Sequence, residues 1–326
     1  MQAIIFIPTL NRFTPLINCL DSLDKQSYRD FWVLMIAPAI DQKISNRLKN
    51  YTFHIRYIKQ GKTGLVEAAN QALTLAGDSD IFIRIDDDVV VDKDWLTNMV
   101  KSFDKNQKVG GVTGPTLMTK KGIESRDVLS FIKQFYEDKS FLWQIVGKIY
   151  LKLIYNNNPY AIGRFFPSGA FSLGSNIIKS VHLPKPVEVD NLEACNFSCR
   201  TKLLRQLGGF DLVFNRGLGE YHEADIACKL RKLGYKLIFN PQALVWHKVE
   251  TTKNNGSRPD AFYRIFNFIV FYRRHIKIDS FDKLFHLSCN VFLQNCYYIF
   301  KLWQTGDWQQ LKAIPGTIYA FLYKDI

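Results

Sequence analysis

Residues 81–95 read IFIRIDDDVVVDKDW. Three aspartates in a row follow a short apolar run, and each carries a full negative charge near neutral pH. Paired carboxylates at a strand end make a hard oxygen site of the kind that magnesium or manganese takes, usually together with waters and substrate phosphates. In an extended chain alternate side chains share a face. Asp86 and Asp88 are therefore expected to hold a cation together, while Asp87 faces elsewhere, toward a sugar hydroxyl. A solvated acidic turn, continued by Asp92 and Asp94, is the plainer reading of the same residues.

The strand before the aspartates is what must position them. Residues 81–85 (IFIRI) read as a strand, as do the apolar runs 3–8 (AIIFIP) and 31–37 (FWVLMIA) and the alternating 54–59 (HIRYIK). Helical spacing of apolar residues marks 15–23, and 64–76 reads as a helix closed by Gly77. Strands alternating with helices predict an α/β fold with a doubly wound, mostly parallel sheet. Ligands bind beyond the carboxyl ends of such strands, which is where the aspartate run falls. The stretch 117–190 is less regular, with amphipathic helices expected at 127–138 and 142–155. The α/β pattern returns at 192, with a helix over 223–234 and strands at 235–239 and 243–247. After about residue 255 the chain is helical, aromatic and basic.

Composition narrows the class. The 326 residues are 47% hydrophobic and 22% charged, which suits a folded globular protein rather than a disordered one. Lys and Arg number 43 against 30 Asp and Glu, a net charge of +13. That balance favours anionic partners, whether nucleic acid, lipid headgroups or phosphorylated substrates. No helix-turn-helix, zinc-finger or RNA-binding aromatic signature supports nucleic acid. The six cysteines include no CxxC pair, so they are expected to be reduced thiols in a cytoplasmic protein. The N-terminus lacks a basic leader and a small-residue cleavage site, and no window of about 18 uninterrupted apolar residues predicts a membrane span.

Five segments, in order, carry a resemblance. They are FIPTLNR, GKTGLVEAANQAL, IRIDDDVVVDKDWL, LLRQLGGFDLVF and GEYHEADIACKLRKLGYKLIFNPQALVWH. Each is weak alone, but the ordered set resembles the family-2 glycosyltransferases, including bacterial members that assemble polysaccharides. The resemblance runs through most of residues 1–250. It implies a GT-A fold, Rossmann-like with helices on both faces of the sheet, as a catalytic domain over 1–250. A helical region over 251–326 follows. The implied reaction is inverting transfer of a sugar from a nucleotide-sugar donor to a glycan or lipid-linked glycan, with Mn2+ or Mg2+ as cofactor.

The resemblance also assigns roles. His247, closing the segment ALVWH, is implied to complete the metal site with Asp86 and Asp88. Glu223 is implied as the general base, with Asp225 as runner-up and Glu220 as a weaker choice. Pro8, Thr9, Asn11, Arg12, Gly61, Asn70 and Asp87 are implied around the donor, with Gly64 nearby. Glu193 and Asn196 are implied toward the acceptor.

The chain departs from the family pattern in three places. His222 stands where the first of two acids is usual, and the base position carries the longer glutamate. Ala37, Pro38 and Ala39 occupy the end of the second strand, where an aspartate often contacts the base. Ala69 replaces a frequent arginine. A UDP- or dTDP-sugar is the implied donor. The aromatic, basic C-terminal helices suggest a peripheral surface for an anionic membrane, on its cytoplasmic face. The rival readings are a non-catalytic basic binding protein on the same scaffold and a nucleotidyltransferase. The latter is expected to show a glycine-rich phosphate loop after the first strand, and IPTLNRFTP has no glycine.

Overall fold

The computed structural model describes residues 1–10, 12–104, 106–118, 132, 140–248 and 260–324. In it the apolar runs form the middle of a sheet. Strand β1 (Ala3–Pro8) lies parallel to β2 (Phe31–Ala37) on one side and to β4 (Ile81–Ile85) on the other. Strand β3 (His54–Lys59) extends the sheet in parallel beyond β2. Residues of β1, β2 and β4 are buried almost throughout, which explains their near-continuous apolar character, Arg84 in β4 excepted. Helices α1 (Phe13–Leu23), α2 (Gln42–Leu48), α3 (Leu65–Leu75) and α4 (Trp95–Asp104) connect and flank these strands.

The other half of the sheet uses β6 (Val109–Thr113), β8 (Val187–Val189), β9 (Asn196–Arg200) and β10 (Lys236–Phe239). The order across all eight strands is β3-β2-β1-β4-β9-β6-β10-β8. Strand β9 is inserted antiparallel between β4 and β6, and β8 is antiparallel at the edge. The sheet is therefore mostly parallel with two reversed strands. A second, three-stranded sheet has the order β5-β11-β7, from Val89–Val91, Val245–His247 and Thr116–Met118.

Buried amides tie these pieces together. Asn196 is fully buried; its Oδ1 accepts from Trp95 Nε1 at 2.9 Å, and its Nδ2 donates to the carbonyls of Pro115 and Ala243 at 3.2 and 3.0 Å. One side chain thus links α4, β9 and the segments leading into β7 and β11. Asn70 on α3 does the same for the Gly208–Gly209 turn. Its Nδ2 donates to the Phe210 carbonyl at 2.7 Å and its Oδ1 accepts from the Phe210 N–H at 2.8 Å. Gly209, at φ 83°, lets the turn come that close, because a Cβ there would lie 2.5 Å from the Asn70 oxygen. Asn215 caps α3 from afar, its Oδ1 accepting from Val66 N and Glu67 N at 3.1 and 3.3 Å. Gly64, at φ 117°, leaves the room for that cap.

The chain divides into two units. The first comprises Met1–Gly122, Gly174–Asn215 and His222–Glu250; the second comprises Ile123–Leu173, Arg216–Tyr221 and Thr251–Ile326. The second unit is helical: Phe141–Tyr155, Ala261–His275, Phe281–Thr305 and Ala313–Leu322. Phe266, Phe268, Phe271 and Tyr272 fill its interior. The Tyr272 hydroxyl donates to the Pro167 carbonyl at 2.7 Å, and Asn290 Nδ2 to the Ser168 carbonyl at 2.8 Å. Among the described residues no helix is long and apolar enough to cross a membrane. The helix expected at 127–138 lies outside the described residues, apart from Ile132.

Removing the Asn196 amide strands the Trp95 N–H and two buried carbonyls. Each stranded group costs about 1–3 kcal/mol. Asn196→Ala is expected to destabilise the protein by at least about 2 kcal/mol in urea denaturation, while Asn46→Ala, on the surface of α2, should change little.

Candidate active site

The three aspartates sit just past the carboxyl end of β4, and each meets a cation. Arg84 Nη2, from within β4, donates to Asp86 Oδ1 at 2.7 Å. Arg12, just before α1, donates to both Asp87 and Asp88, its bond to Asp88 Oδ2 measuring 3.0 Å. His247 Nε2 lies 3.1 Å from Asp88 Oδ1. Thr9 Oγ1 adds a 2.6 Å hydrogen bond to Asp87 Oδ2. Asp87 and Asp88 are buried, and uncompensated charges there would be strongly destabilising. The repulsion raised by three adjacent carboxylates is thus met by three side chains drawn from three places in the chain.

His247 reaches Asp88 through the small sheet. Strand β11 runs antiparallel to β5 with His247 opposite Val89, and Lys248 N donates to the Asp88 carbonyl at 2.8 Å. This register places the ring beside the residue that precedes β5. Among the described residues, Asp86, Asp88 and His247 bring three ligand atoms within 4.8 Å of one another. Two carboxylates suit manganese or magnesium, and an imidazole is an acceptable third ligand for manganese, which otherwise prefers oxygen.

Protonation of the set follows from its partners. Burial raises the Asp88 carboxyl, but the hydrogen bond and charge of His247, together with Arg12, outweigh it and hold Asp88 below the usual range. Burial opposes protonation of His247, yet the Cys195 sulfur, 3.9 Å from its Nδ1, and the Asp88 carboxylate push its pKa up to about 11. Burial raises the Cys195 thiol as well. Burial also raises Asp87 above its ordinary value, against the bonds from Thr9 and Arg12.

Glu223 and Asp225 begin the helix His222–Lys232, both buried. They differ in their partners. Asp225 is closed off completely and ion-paired to Lys229 at 2.6 Å. Glu223 Oε2 lies 3.1 Å from His222 Nδ1. His222 Nε2 in turn lies 2.9 Å from Arg84 Nη1. Glu220 belongs to the second unit, where it faces Arg264 at 3.3 Å.

The remaining expected residues fall as follows. Pro8 ends β1, and Thr9, Arg12 and Asp87 join the aspartate cluster. Gly61 is exposed and donates its N–H to Gln71 Oε1 at 3.1 Å. Asn70 and Asn196 spend their amides on the backbone clamps described above. Glu193 N donates to Thr113 Oγ1 at 3.1 Å, and desolvation pushes the Glu193 carboxyl up to about 7. Asn11 lies outside the described residues. Arg84 was not among the expected residues, although an arginine inside a fully apolar strand was itself a signal, since a buried guanidinium demands partners.

These features define an α/β fold of the GT-A type. Residues 4–165 match the family described as Glycosyl transferase family 2. Solved structures agree in fold. One is GalNAc-T7 with UDP, GalNAc and Mn2+, at TM-score 0.62 and 14% identity, covering 89% of this chain and 51% of that one. A second is the mannosyltransferase PcManGT from Pyrobaculum calidifontis with GDP-Man and Mn2+, at 0.55 and 14%, covering 100% and 76%. A third is S. aureus TarS 1–349 with UDP, at 0.53 and 14%, covering 93% and 73%. The chain thus spans about half the length of the GalNAc-T7 structure. No curated protein matches it.

A metal that binds His247 must displace its proton. Below a pKa of about 11 the imidazolium competes, so Mn2+ affinity is expected to climb with pH, about tenfold per unit between pH 7 and 9. Calorimetric titration in buffers of different ionisation enthalpy should report release of about one proton.

Proposed function

We propose that the protein is an inverting, metal-dependent glycosyltransferase that moves a sugar from a UDP- or dTDP-sugar to a glycan or lipid-linked glycan acceptor in polysaccharide assembly. The observation that carries the reading is the convergence of Asp86, Asp88 and His247 on one point, in the same unit as the buried Glu223. The family match and the nucleotides and Mn2+ in the similar structures support it; two of the three hold UDP.

Asp86, Asp88 and His247 would hold the cation, which when bound neutralises the diphosphate as it leaves. Asp87 is kept by Thr9 and Arg12 on the β1 side of the cluster, the side expected to receive the nucleotide. Glu223 takes the proton from the acceptor hydroxyl. A single displacement at the anomeric carbon needs one base, and Glu223 fits better than Asp225, whose carboxylate is sealed against Lys229.

Glu223→Gln is expected to lower transfer by about 10²–10⁴-fold, the range for loss of a general base, while leaving Mn2+-dependent nucleotide binding intact. A panel of UDP-, dTDP- and GDP-sugars with Mn2+, scored by thermal stabilisation and nucleotide release, identifies the donor. Full activity in the variant would remove Glu223 from the role, and silence across the panel would overturn the enzymatic reading.

The second unit supports a peripheral place on an anionic membrane. Phe281, Trp303 and Trp308 are 82%, 80% and 73% exposed, and Leu142, Phe292 and Leu322 are also well exposed. Lys283, Lys301 and Lys312 are interleaved with them in sequence. Aromatic side chains entering the interface and cations meeting headgroups is the pattern of interfacial helices. The protein is expected to float with phosphatidylglycerol liposomes at low salt and to be released at high salt. Phe281→Ser with Trp303→Ser should abolish flotation. Wild-type protein that stays unbound at low salt would remove the membrane from the proposal.

A further inference from the structure

The mechanism above assigns His247 a cation to hold and says nothing of what holds His247. We propose that Cys195 is a positioning residue of the metal site: its sulfur accepts the N–H of His247 Nδ1, which keeps the other ring nitrogen, Nε2, turned to the cation. The inference rests on the reading of Asp86, Asp88 and His247 as metal ligands.

The two ring nitrogens of His247 face different neighbours. Nε2 lies 3.1 Å from Asp88 Oδ1, on the side where the three ligand atoms gather within 4.8 Å. Nδ1 is hydrogen-bonded to Cys195 Sγ at 3.9 Å, between residues 52 positions apart. Among the described residues Nδ1 has no other hydrogen-bond partner. A cation shared with Asp88 can use only the lone pair of Nε2. A neutral imidazole bound in that way carries its single proton on Nδ1. The N–H then points at the sulfur, and the sulfur accepts. Histidines that hold metals almost always give their second N–H to an acceptor, which sets the tautomer and the aim of the ring.

The sulfur is fixed in its turn. Cys195 is buried and directly precedes β9. The next residue, Asn196, donates its backbone N–H to the Glu193 carbonyl at 3.0 Å and its side-chain amide to the Ala243 carbonyl, also at 3.0 Å. Ala243 stands just before β11, the strand that carries the ring. One clamp therefore sets both partners of the sulfur–imidazole bond. Cys195 is not itself a ligand of this cation. The two nitrogens of an imidazole point to opposite sides of the ring, so a sulfur at Nδ1 stands behind the histidine and a cation at Nε2 in front of it. Thiolates also suit softer metals than magnesium or manganese. Sulfur is a weak acceptor, so its loss belongs at the low end, about tenfold, of what such outer partners contribute to metal affinity.

The affinity of the full chain for Mn2+, read from the paramagnetic resonance of the unbound ion, tests this. Cys195→Ala and Cys195→Val are both expected to weaken binding by about tenfold, although one leaves a gap and the other fills it. Cys195→Asn carries an amide oxygen, a stronger acceptor that lies further from Cβ than the sulfur does. It is expected to bind Mn2+ at least as tightly as the wild type. A residue that only fills space predicts the reverse order, with the larger polar asparagine worst. Binding by Cys195→Ala within twofold of wild type, or by Cys195→Asn weaker than by Cys195→Ala, would reduce Cys195 to packing. Wild-type protein that binds no Mn2+ would overturn the metal site itself, and this inference with it.

A second measurement leaves position 195 untouched and so stands even if its variants fail to fold. The probe is 113Cd2+ on 15N-histidine-labelled protein in which the two less buried cysteines are replaced, Cys289→Ser and Cys296→Ser. The chain has six histidines, and His247→Gln assigns its signal by removing it. The spectra are expected to show cadmium coupled to Nε2, a proton on Nδ1 and no thiolate-bound cadmium. Cadmium favours thiolate, so the absence of a sulfur signal is a stringent outcome. Coupling at Nδ1, or a cadmium resonance in the thiolate range, would put the sulfur among the ligands and overturn the proposal.

Discussion

The site depends on charge compensation. Three carboxylates in consecutive positions stay together at a strand end only because a cation stands against each of them. The fold supplies those cations from separate places: Arg84 from within the same strand, Arg12 from the entrance to α1, and His247 from a strand that enters the small sheet far later in the chain. The order of the elements makes sense in this light. Strand β1 delivers Thr9 and Arg12 next to the end of β4 because β1 and β4 are parallel neighbours. The three-residue ladder between β5 and β11 delivers the imidazole.

A second layer keeps that delivery accurate. Asn70, Asn196 and Asn215 each reach across the chain to satisfy main-chain groups that would otherwise be buried without partners. An amide is suited to this because it both gives and accepts.

Much of this could be read from the residues. Strands β1 to β4 announce themselves as apolar or alternating runs, and their bounds agree with the fold: burial on both faces leaves β1, β2 and β4 little choice of residue, while β3, at the sheet edge, alternates. Asp86, Asp88 and His247 were grouped by the resemblance alone, and their ligand atoms lie within 4.8 Å of one another in the fold. Strand β9 was not legible as a strand. NFSCR is short, has no β-branched residue and pairs antiparallel between strands that are far from it in sequence. The clamps were hidden for another reason: Asn70 and Asn196 carry the same chemistry whether they bind a sugar or a carbonyl, and only the neighbouring backbone distinguishes the two. The row through Arg84 and His222 escaped notice because it is made of contacts between residues about 140 positions apart, which no local pattern encodes.

The cations that hold the aspartates are not equally sheltered. Arg84 is 4% exposed at its side chain, whereas Arg12 is 40% exposed. Dissolved ions screen the second pairing far more than the first. The cluster therefore behaves like a vice with one fixed jaw and one that slides: Asp86 keeps its aim over a wide range of ionic strength, while the grip on Asp87 and Asp88 through Arg12 slackens as salt rises.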